Sequence, residues 1–383
     1  MSEFQPTKRL RGIEKNAIRQ LFDRARPGSI NLGLGEPDLM TPEIIRRAAA
    51  RIVLEEQNGY TAHAGLPPLC KRVASNYPYL DGDPERVIIT AGSQEALYLA
   101  LMTLVDEGDE VLLPDPGFVA YPTIVRMAGG RAVFYRLPAA RDFAFDREEF
   151  RRCISARTKV VVCISPSNPT GRTLSPDDLA AMADALGGTG AYVISDEIYR
   201  ALYYTDAAPP SISDYYDRTV TISGLSKEMS MTGWRIGWLC GSPEVVQSAV
   251  ILHGYVTTCA STISQKAALQ VAWTDEAQEA RENFRQIFRA RRDYLLGLVR
   301  SELGLRVVAP DGAFYTMVET SAFGSSMKVA EAILEHGVIT VPGAAFGREG
   351  EGFLRISFCA DESVLAEGVR RMGQALSTLK SDK

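Results

Sequence analysis

Residues 192–199 read Tyr-Val-Ile-Ser-Asp-Glu-Ile-Tyr, an apolar run that meets two adjacent carboxylates. Its length and its β-branched residues predict a buried strand. The strand ends at Asp196, so a carboxylate stands where a buried strand meets a loop. The carboxyl ends of parallel strands are where functional groups gather, and Asp196 is therefore a candidate functional residue.

The same alternation of strand and helix continues on both sides of this run. Short runs rich in β-branched residues predict strands, and amphipathic stretches between them predict helices. The predicted strands cover residues 87–90, 110–114, 131–137, 159–165, 192–199 and 219–223, and the predicted helices cover residues 93–105, 121–127 and 176–186. Strands joined by helical crossovers predict an α/β fold, with a mostly parallel sheet and helices on both faces.

The pattern changes after Gly241. Residues 263–298 predict a long helical region, and short strands are predicted at 305–310, 313–318, 338–341 and 353–358. Helices are predicted at 327–335 and 362–376. Together these elements predict a second, smaller α+β unit.

The composition is that of a large protein with a substantial core. Of its 383 residues, 46% are hydrophobic and 23% are charged, enough for two domains. The net charge of −5 and the pI of about 5.5 argue against nucleic acid or an anionic membrane as the main partner. If the protein binds a ligand that carries a phosphate group, nearby backbone and side-chain groups must hold that phosphate, because the net charge of the protein does not attract it.

Cysteine and histidine spacing predicts neither a metal site nor disulfides, because no CxxC pair and no histidine pair with metal spacing occurs. No run of about 18 apolar residues exists, which predicts no membrane span. Residues 1–11 are polar and basic without an apolar stretch behind them, so we expect no signal peptide. A cytoplasmic location is the resulting prediction.

A lysine in a loop of small residues carries the strongest chemical signal. Residues 223–237 read Ser-Gly-Leu-Ser-Lys-Glu-Met-Ser-Met-Thr-Gly-Trp-Arg-Ile-Gly, which places Lys227 eight residues before Arg235. Such a pair suits an aldehyde cofactor that is bound covalently and carries a phosphate. The segment resembles the cofactor-attachment signature of the class I and II aminotransferases, which use pyridoxal phosphate.

The resemblance implies the cofactor's ring contacts. Lys227 would form the Schiff base with the aldehyde, and Asp196 would pair with the pyridine nitrogen and keep it protonated. Tyr199 and Asn168 would donate to the phenolic oxygen, and Phe118 would stack on the ring face. Read alone, Asn168 fits an ordinary turn and Phe118 fits a core position. Lys227, Asp196 and Tyr199 are the catalytic residues that the resemblance implies.

The phosphate is expected at a strand-to-helix turn, residues 90–97. Backbone N–H groups at a helix N-terminus bind anions, and Gly92 permits close approach. Gly92, Ser93 and Gln94 are the predicted ligands of this turn. Arg235 would add a planar, bidentate cation.

The chain departs from the resemblance at one position. Many relatives carry a phosphate-binding serine where this chain has Gly224, and Ser226 or a backbone amide would replace it. Tyr60 resembles a tyrosine that reaches the phosphate of the neighbouring subunit. The resemblance therefore implies a homodimer with shared active sites.

Substrate binding is expected to depend on Arg355. This arginine lies within an alternating apolar strand, residues 353–358, where burial is costly without an anion such as an α-carboxylate. The alternative is an edge-strand arginine that faces water. The resemblance adds Gly35, whose backbone would contact the substrate, together with Phe118 and Asn168.

The resemblance implies fold type I of the pyridoxal-phosphate enzymes. The large cofactor-binding domain would cover residues 41–280, and residues 1–40 would join residues 281–383 in the small substrate-side domain. The predicted activity is ping-pong transamination, the transfer of an amino group from an L-amino acid to a 2-oxo acid, which is a reaction of amino acid metabolism.

The donor is less clearly indicated than the cofactor. Residues 253–264, where some relatives place a basic side chain, contain no Arg or Lys, and Gln94 replaces a basic residue of certain aspartate-preferring relatives. Neutral or aromatic donors are therefore favoured slightly. Two other readings remain open: a C–S β-lyase on the same fold, and a non-catalytic regulator.

Overall fold

The computed structural model describes residues 4–7, 10, 11, 13 and 17–381. The strands are β1 (Ile30–Asn31), β2 (Val87–Thr90), β3 (Glu110–Asp115), β4 (Arg131–Arg136), β5 (Thr158–Ile164), β6 (Tyr192–Asp196), β7 (Thr219–Gly224), β8 (Gly237–Cys240), β9 (Tyr315–Glu319), β10 (Val338–Ile339), β11 (Val341–Pro342) and β12 (Phe353–Ser357). The helices are α1 (Ala17–Arg24), α2 (Glu43–Glu55), α3 (Pro67–Ala74), α4 (Ser93–Leu104), α5 (Ala120–Met127), α6 (Arg147–Cys153), α7 (Pro176–Leu186), α8 (Pro243–Val256), α9 (Thr262–Val271), α10 (Asp275–Leu298), α11 (Ser326–Glu335) and α12 (Glu362–Ser381).

The large sheet has seven strands in the order β2-β8-β7-β6-β5-β3-β4. β8 runs antiparallel to both of its neighbours, and the other pairs are parallel. Alternate strand residues enter different cores: Val160 and Ile194 pack with α4 and α5, whereas Val161 and Val193 pack with α7. The prediction of a mostly parallel sheet with helices on both faces is confirmed.

The carboxyl ends of β5, β6 and β7 lie side by side. Ile164 at the end of β5 is in register with Asp196, and Asp196 is in register with Ile222 of β7. The loops that follow these three strands carry Asn168, Tyr199 and Lys227. Side chains that are far apart in the sequence therefore meet at one edge of the sheet.

A second sheet holds Arg355 in its middle strand. Its order is β11-β12-β9, with antiparallel pairs. Arg355 lies in β12 and is 4% exposed, so the alternative of an edge-strand arginine facing water is wrong. In a separate pair, β1 lies parallel to β10 and fixes the loop that begins at Leu32.

Three predicted elements differ from the structure. The strand predicted at residues 338–341 is two short strands, β10 and β11, which belong to different sheets. Residues 263–298 form two helices, because the Thr274 side chain accepts from the Ala277 N–H and starts α10 anew. Residues 305–310 make only an isolated bridge at Val307, since the following turn donates its N–H groups to the Gly171 carbonyl. The predicted domain boundary at residue 280 falls within α10, and that division stays a prediction.

Candidate active site

A cavity of about 790 Å³ opens at the carboxyl ends of the large sheet. It brings most of the predicted site residues together, although they come from segments spread over more than 300 positions. The predicted residues that line it are Gly35, Ser93, Gln94, Phe118, Asn168, Asp196, Tyr199, Ser226, Lys227, Arg235 and Arg355.

Lys227 lies in the loop after β7, with its amine inside the cavity. Its Nζ donates to the carbonyl oxygen of Gly35 at 2.9 Å. Burial lowers the pKa of Lys227, because an ammonium loses its hydration there. More of this amine is therefore neutral than that of a surface lysine, and a neutral amine is the form that attacks a carbonyl carbon.

Asp196 also lines the cavity and is buried. Its carboxylate accepts from the Tyr121 hydroxyl at 2.9 Å and from the Ile198 N–H at 3.2 Å. Burial raises the pKa of Asp196 to about 6. Both donors are uncharged, so a cationic ligand nitrogen would supply the charge that this carboxylate lacks.

Asn168 and Tyr199 present hydrogen-bond donors to the same region. The Oδ1 atom of Asn168 accepts from Arg355 at 2.8 Å, which leaves its NH₂ group for the cavity. The Tyr199 hydroxyl lies 2.9 Å from the hydroxyl of Tyr315. Burial raises the pKa of Tyr199 well above its ordinary value, so its hydroxyl keeps its proton.

Arg355 is buried and has no carboxylate partner among the described residues. One Nη donates to Asn168 and the other to the Gly33 carbonyl, while Nε has no hydrogen-bond partner among the described residues. The guanidinium carbon lies 4.3 Å from the ring centre of Tyr315 and 4.8 Å from that of Phe346. A buried cation held in this way is suited to bind a carboxylate.

Arg235 and the N-terminus of α4 form the far end of the cavity. The Arg235 guanidinium donates to the carbonyls of Thr232 and Ala91 at 2.9 and 3.0 Å. No side chain caps the helix, whose N-cap is Gly92. The first-turn N–H groups and the arginine together make an anion site.

Glycines allow the tight packing behind this anion site. A Cβ on Gly92 would lie 2.5 Å from the Arg235 Nη2 atom. A Cβ on Gly224 would lie 2.6 Å from the Ile236 carbonyl oxygen and 2.8 Å from the Gly237 Cα atom, so the backbone at the start of β8 excludes a serine at that position. Ser226 lines the cavity and is the hydroxyl that this loop offers instead.

Two predicted residues do not line the cavity. Gly92 lies behind Arg235, as its close approach shows. Tyr60 is 88% exposed on the surface of the chain, away from the cavity. Its predicted role needs a second subunit and stays a prediction.

The sequence reading missed several residues of the site. Tyr121 binds Asp196, Tyr315 contacts both Tyr199 and Arg355, and Glu95 and Thr232 also line the cavity. Tyr315 follows Ala313 and Phe314 in an apolar run, so its pattern is that of an ordinary core strand. In the part of the chain that the structure describes, no three His, Cys, Asp or Glu side chains cluster as metal ligands would.

Comparison with known proteins gives a consistent result. A family model described as aminotransferase class I and II matches residues 27–372. The aspartate aminotransferase of Pyrococcus horikoshii is 36% identical over 372 residues, covering 95% of each chain. Aromatic-amino-acid aminotransferase 2 of Thermococcus litoralis is 33% identical, covering 97% of this chain and 98% of the relative.

A solved structure has the same architecture. Aspartate aminotransferase from Thermus thermophilus with maleate superposes with a TM-score of 0.92 at 34% identity. The match covers 97% of this chain and 100% of that chain.

Proposed function

The chain belongs to the class I and II aminotransferases, a family of pyridoxal-phosphate-dependent transaminases, and we propose that it moves an amino group from a neutral or aromatic L-amino acid to a 2-oxo acid. The observation that carries the proposal is one cavity that holds a part-buried lysine, a buried carboxylate and two separate anion sites.

The residues of the cavity fit pyridoxal phosphate. The uncapped N-terminus of α4, Arg235 and Ser226 would hold the phosphate, and Asp196 would hold the ring nitrogen. When bound, the cofactor supplies an electron sink for the bonds at the substrate's Cα. The raised pKa of Asp196 supports this assignment, because a protonated ring nitrogen stabilises the carboxylate that burial destabilises.

The chain's own residues would perform the remaining steps. Lys227 binds the cofactor's aldehyde and then, once released, carries the proton that leaves the substrate's Cα. Its pKa, lowered by burial, favours both roles. Arg355 holds the substrate carboxylate, and Asn168 and Tyr199 donate to the cofactor's phenolic oxygen. Two half-reactions at one site make a ping-pong cycle.

The lining of the cavity supports a donor without a second negative charge. Among the described residues, its basic side chains are Lys227, Arg235 and Arg355, and each already has a role. Apolar and aromatic side chains line the cavity together with Phe118: Leu34, Tyr98, Ile124, Met127 and Val256. Such a surface stabilises an apolar or aromatic substrate side chain.

We also keep the homodimer as part of the proposal. Besides Tyr60, several large apolar side chains are exposed: Leu54 is 83% exposed, Tyr255 91% and Ile251 66%. A partner subunit would cover exposed apolar side chains of this size. Sedimentation would test it. No helix among the described residues combines the length and apolar character of a membrane span, and the cytoplasmic location stays a prediction from the sequence.

A panel of amino acids with 2-oxoglutarate as acceptor tests the function. We expect glutamate formation from phenylalanine, tyrosine or leucine, with no product in the absence of an acceptor. Release of pyruvate and ammonia from cystathionine without any oxo acid would instead establish the β-lyase. Absence of both reactions in a protein that binds no pyridoxal phosphate would leave the regulator.

A further inference from the structure

Tyr315 contacts two parts of the active site: the guanidinium of Arg355 and the hydroxyl of Tyr199. It is the first residue of β9 and is 2% exposed. Met317 of β9 pairs with Arg355 of β12, so Tyr315, two residues away, is a diagonal neighbour of Arg355 on the same face of the sheet. The pleat therefore directs the Tyr315 ring toward the arginine.

The ring of Tyr315 holds one side of the carboxylate site. The Arg355 guanidinium carbon lies 4.3 Å from the centre of this ring and 4.8 Å from that of Phe346. A planar cation in contact with two aromatic rings has little freedom to rotate. Its unpaired Nε is thereby kept in one orientation.

The hydroxyl of Tyr315 reaches a different target. It lies 2.9 Å from the Tyr199 hydroxyl, which is its one hydrogen-bond partner within the described residues. Gly35 packs directly against it, since a Cβ on Gly35 would lie 1.6 Å from the Tyr315 oxygen. The hydroxyl is therefore confined between Gly35 and Tyr199.

Burial raises the pKa of Tyr315 to about 12, so its hydroxyl keeps its proton at neutral pH. When the Tyr315 hydroxyl donates to the Tyr199 oxygen, the hydroxyl hydrogen of Tyr199 is free to point into the cavity. Hydrogen bonds in such a chain strengthen one another.

We infer that Tyr315 is a positioning residue with two separable functions: its ring orients Arg355 for the substrate carboxylate, and its hydroxyl sets Tyr199 as a donor to the cofactor's phenolic oxygen. The inference rests on the proposed function, because it assigns Tyr199 and Arg355 the roles given there. It predicts that the two functions can be removed one at a time.

Three variants separate them. Tyr315→Phe keeps the ring and removes the hydroxyl. Phe346→Leu removes the second aromatic ring beside Arg355 and leaves the hydrogen bond between Tyr315 and Tyr199 in place. Tyr315→Leu removes both the ring and the hydroxyl. Urea unfolding of each variant establishes that it is folded before its function is compared.

The first readout is the pH titration of the visible absorbance of the cofactor-loaded protein. Without the Tyr315 hydroxyl, Tyr199 is a weaker donor and the phenolic oxygen becomes more basic, so in Tyr315→Phe the titration moves to higher pH, by about 0.3 to 1 unit. Tyr199→Phe shifts it further in the same direction. Phe346→Leu titrates as the wild type does.

The second readout is the dissociation constant of a carboxylate that cannot react, 3-phenylpropionate, or succinate if aspartate proves the better donor. Phe346→Leu weakens binding by roughly 3- to 20-fold, and Tyr315→Phe changes it less than about twofold. Tyr315→Leu shows both the shifted titration and the weakened carboxylate binding, whereas Tyr315→Phe shows only the shifted titration.

Two results would overturn the inference: a Tyr315→Phe titration that superimposes on the wild type, or carboxylate binding in Tyr315→Phe as weak as in Tyr315→Leu. Failure of the proposed function has a different signature, a wild-type protein with no visible absorbance after addition of pyridoxal phosphate and removal of the unbound cofactor.

Discussion

The amine of Lys227 donates to the carbonyl oxygen of Gly35 at 2.9 Å, which joins two loops that are 192 residues apart in the sequence. The loop of Gly35 follows β1, and that of Lys227 follows β7 at the carboxyl edge of the large sheet. The contact fixes the position of the lysine amine in the cavity that Asp196 and Arg355 also line. The predictions below concern the groups around this lysine.

Replacement of Arg355 by alanine is expected to raise KM for every amino donor by roughly 10- to 100-fold, the value of a charge-assisted hydrogen bond to a carboxylate. Arg218→Ala, which removes an arginine stacked on Tyr192, is the matched control and leaves KM unchanged. Steady-state kinetics with three donors measures the effect. A defect confined to one donor would show that Arg355 binds a side chain instead.

Asp196→Asn is expected to stabilise the cofactor-free protein at neutral pH while it removes activity. The folded protein holds the Asp196 proton up to a pKa of about 6, and the unfolded chain releases it near 3.8. The contribution of protonated Asp196 to the free energy of unfolding is therefore fully present below about pH 3.8, and it is lost as the pH rises through about 6.

Urea unfolding of the wild type and Asp196→Asn measures this loss. Above pH 6 the variant should be more stable by about 1 to 3 kcal/mol, and the difference should shrink toward pH 4. A variant that is less stable than the wild type at pH 8 would show that burial does not penalise the Asp196 carboxylate.

Gly92→Ala is expected to weaken pyridoxal phosphate binding, because the new methyl group would meet the Arg235 guanidinium. Gly108→Ala is a matched control: the two glycines have φ of +88° and +89°, but a Cβ on Gly108 meets nothing within 4 Å. Both variants carry the same backbone strain of about 1 kcal/mol.

Fluorescence titration with pyridoxal phosphate and with pyridoxal measures the difference. Only Gly92→Ala should weaken the phosphate form, by roughly tenfold or more, and pyridoxal itself should bind to all three proteins alike. Equal affinities of the two variants for pyridoxal phosphate would mean that Arg235 does not hold the phosphate.

Gln94→Lys is expected to raise kcat/KM for aspartate relative to phenylalanine by roughly tenfold, since it adds a cation to a lining that has none free for a second carboxylate. Gln94→Glu has the opposite charge and should lower the same ratio. Competition between the two donors measures it directly. A wild-type protein that already prefers aspartate would contradict the proposed donor class.

Much of the fold and of the chemistry could be predicted because their signals are local. The runs that became β5, β6 and β7 carry their own β-branched pattern, and Lys227, Asp196 and Arg355 stand out as charged residues in apolar or small-residue surroundings. A buried charge is rare enough to be noticed in the sequence.

The remaining features depend on contacts between distant segments. Tyr315 meets Tyr199 across 116 positions, and Tyr121 meets Asp196 across 75, yet both tyrosines look like ordinary core residues. The reason for Gly224 is the backbone of Ile236 and Gly237, which lies against it where the neighbouring strand begins. Such packing is a property of the folded chain, and no local pattern carries it.

Reduction of the pyridoxal-phosphate-loaded protein with borohydride, followed by peptide mass spectrometry, tests directly whether Lys227 binds the cofactor. We expect one phosphopyridoxyl group per chain, on the peptide that contains Lys227. We also expect that Lys227→Ala is folded, inactive and unlabelled, while Lys159→Ala, at an exposed lysine, behaves as the wild type. Stoichiometric labelling of another lysine, or wild-type turnover by Lys227→Ala, would contradict this assignment of Lys227.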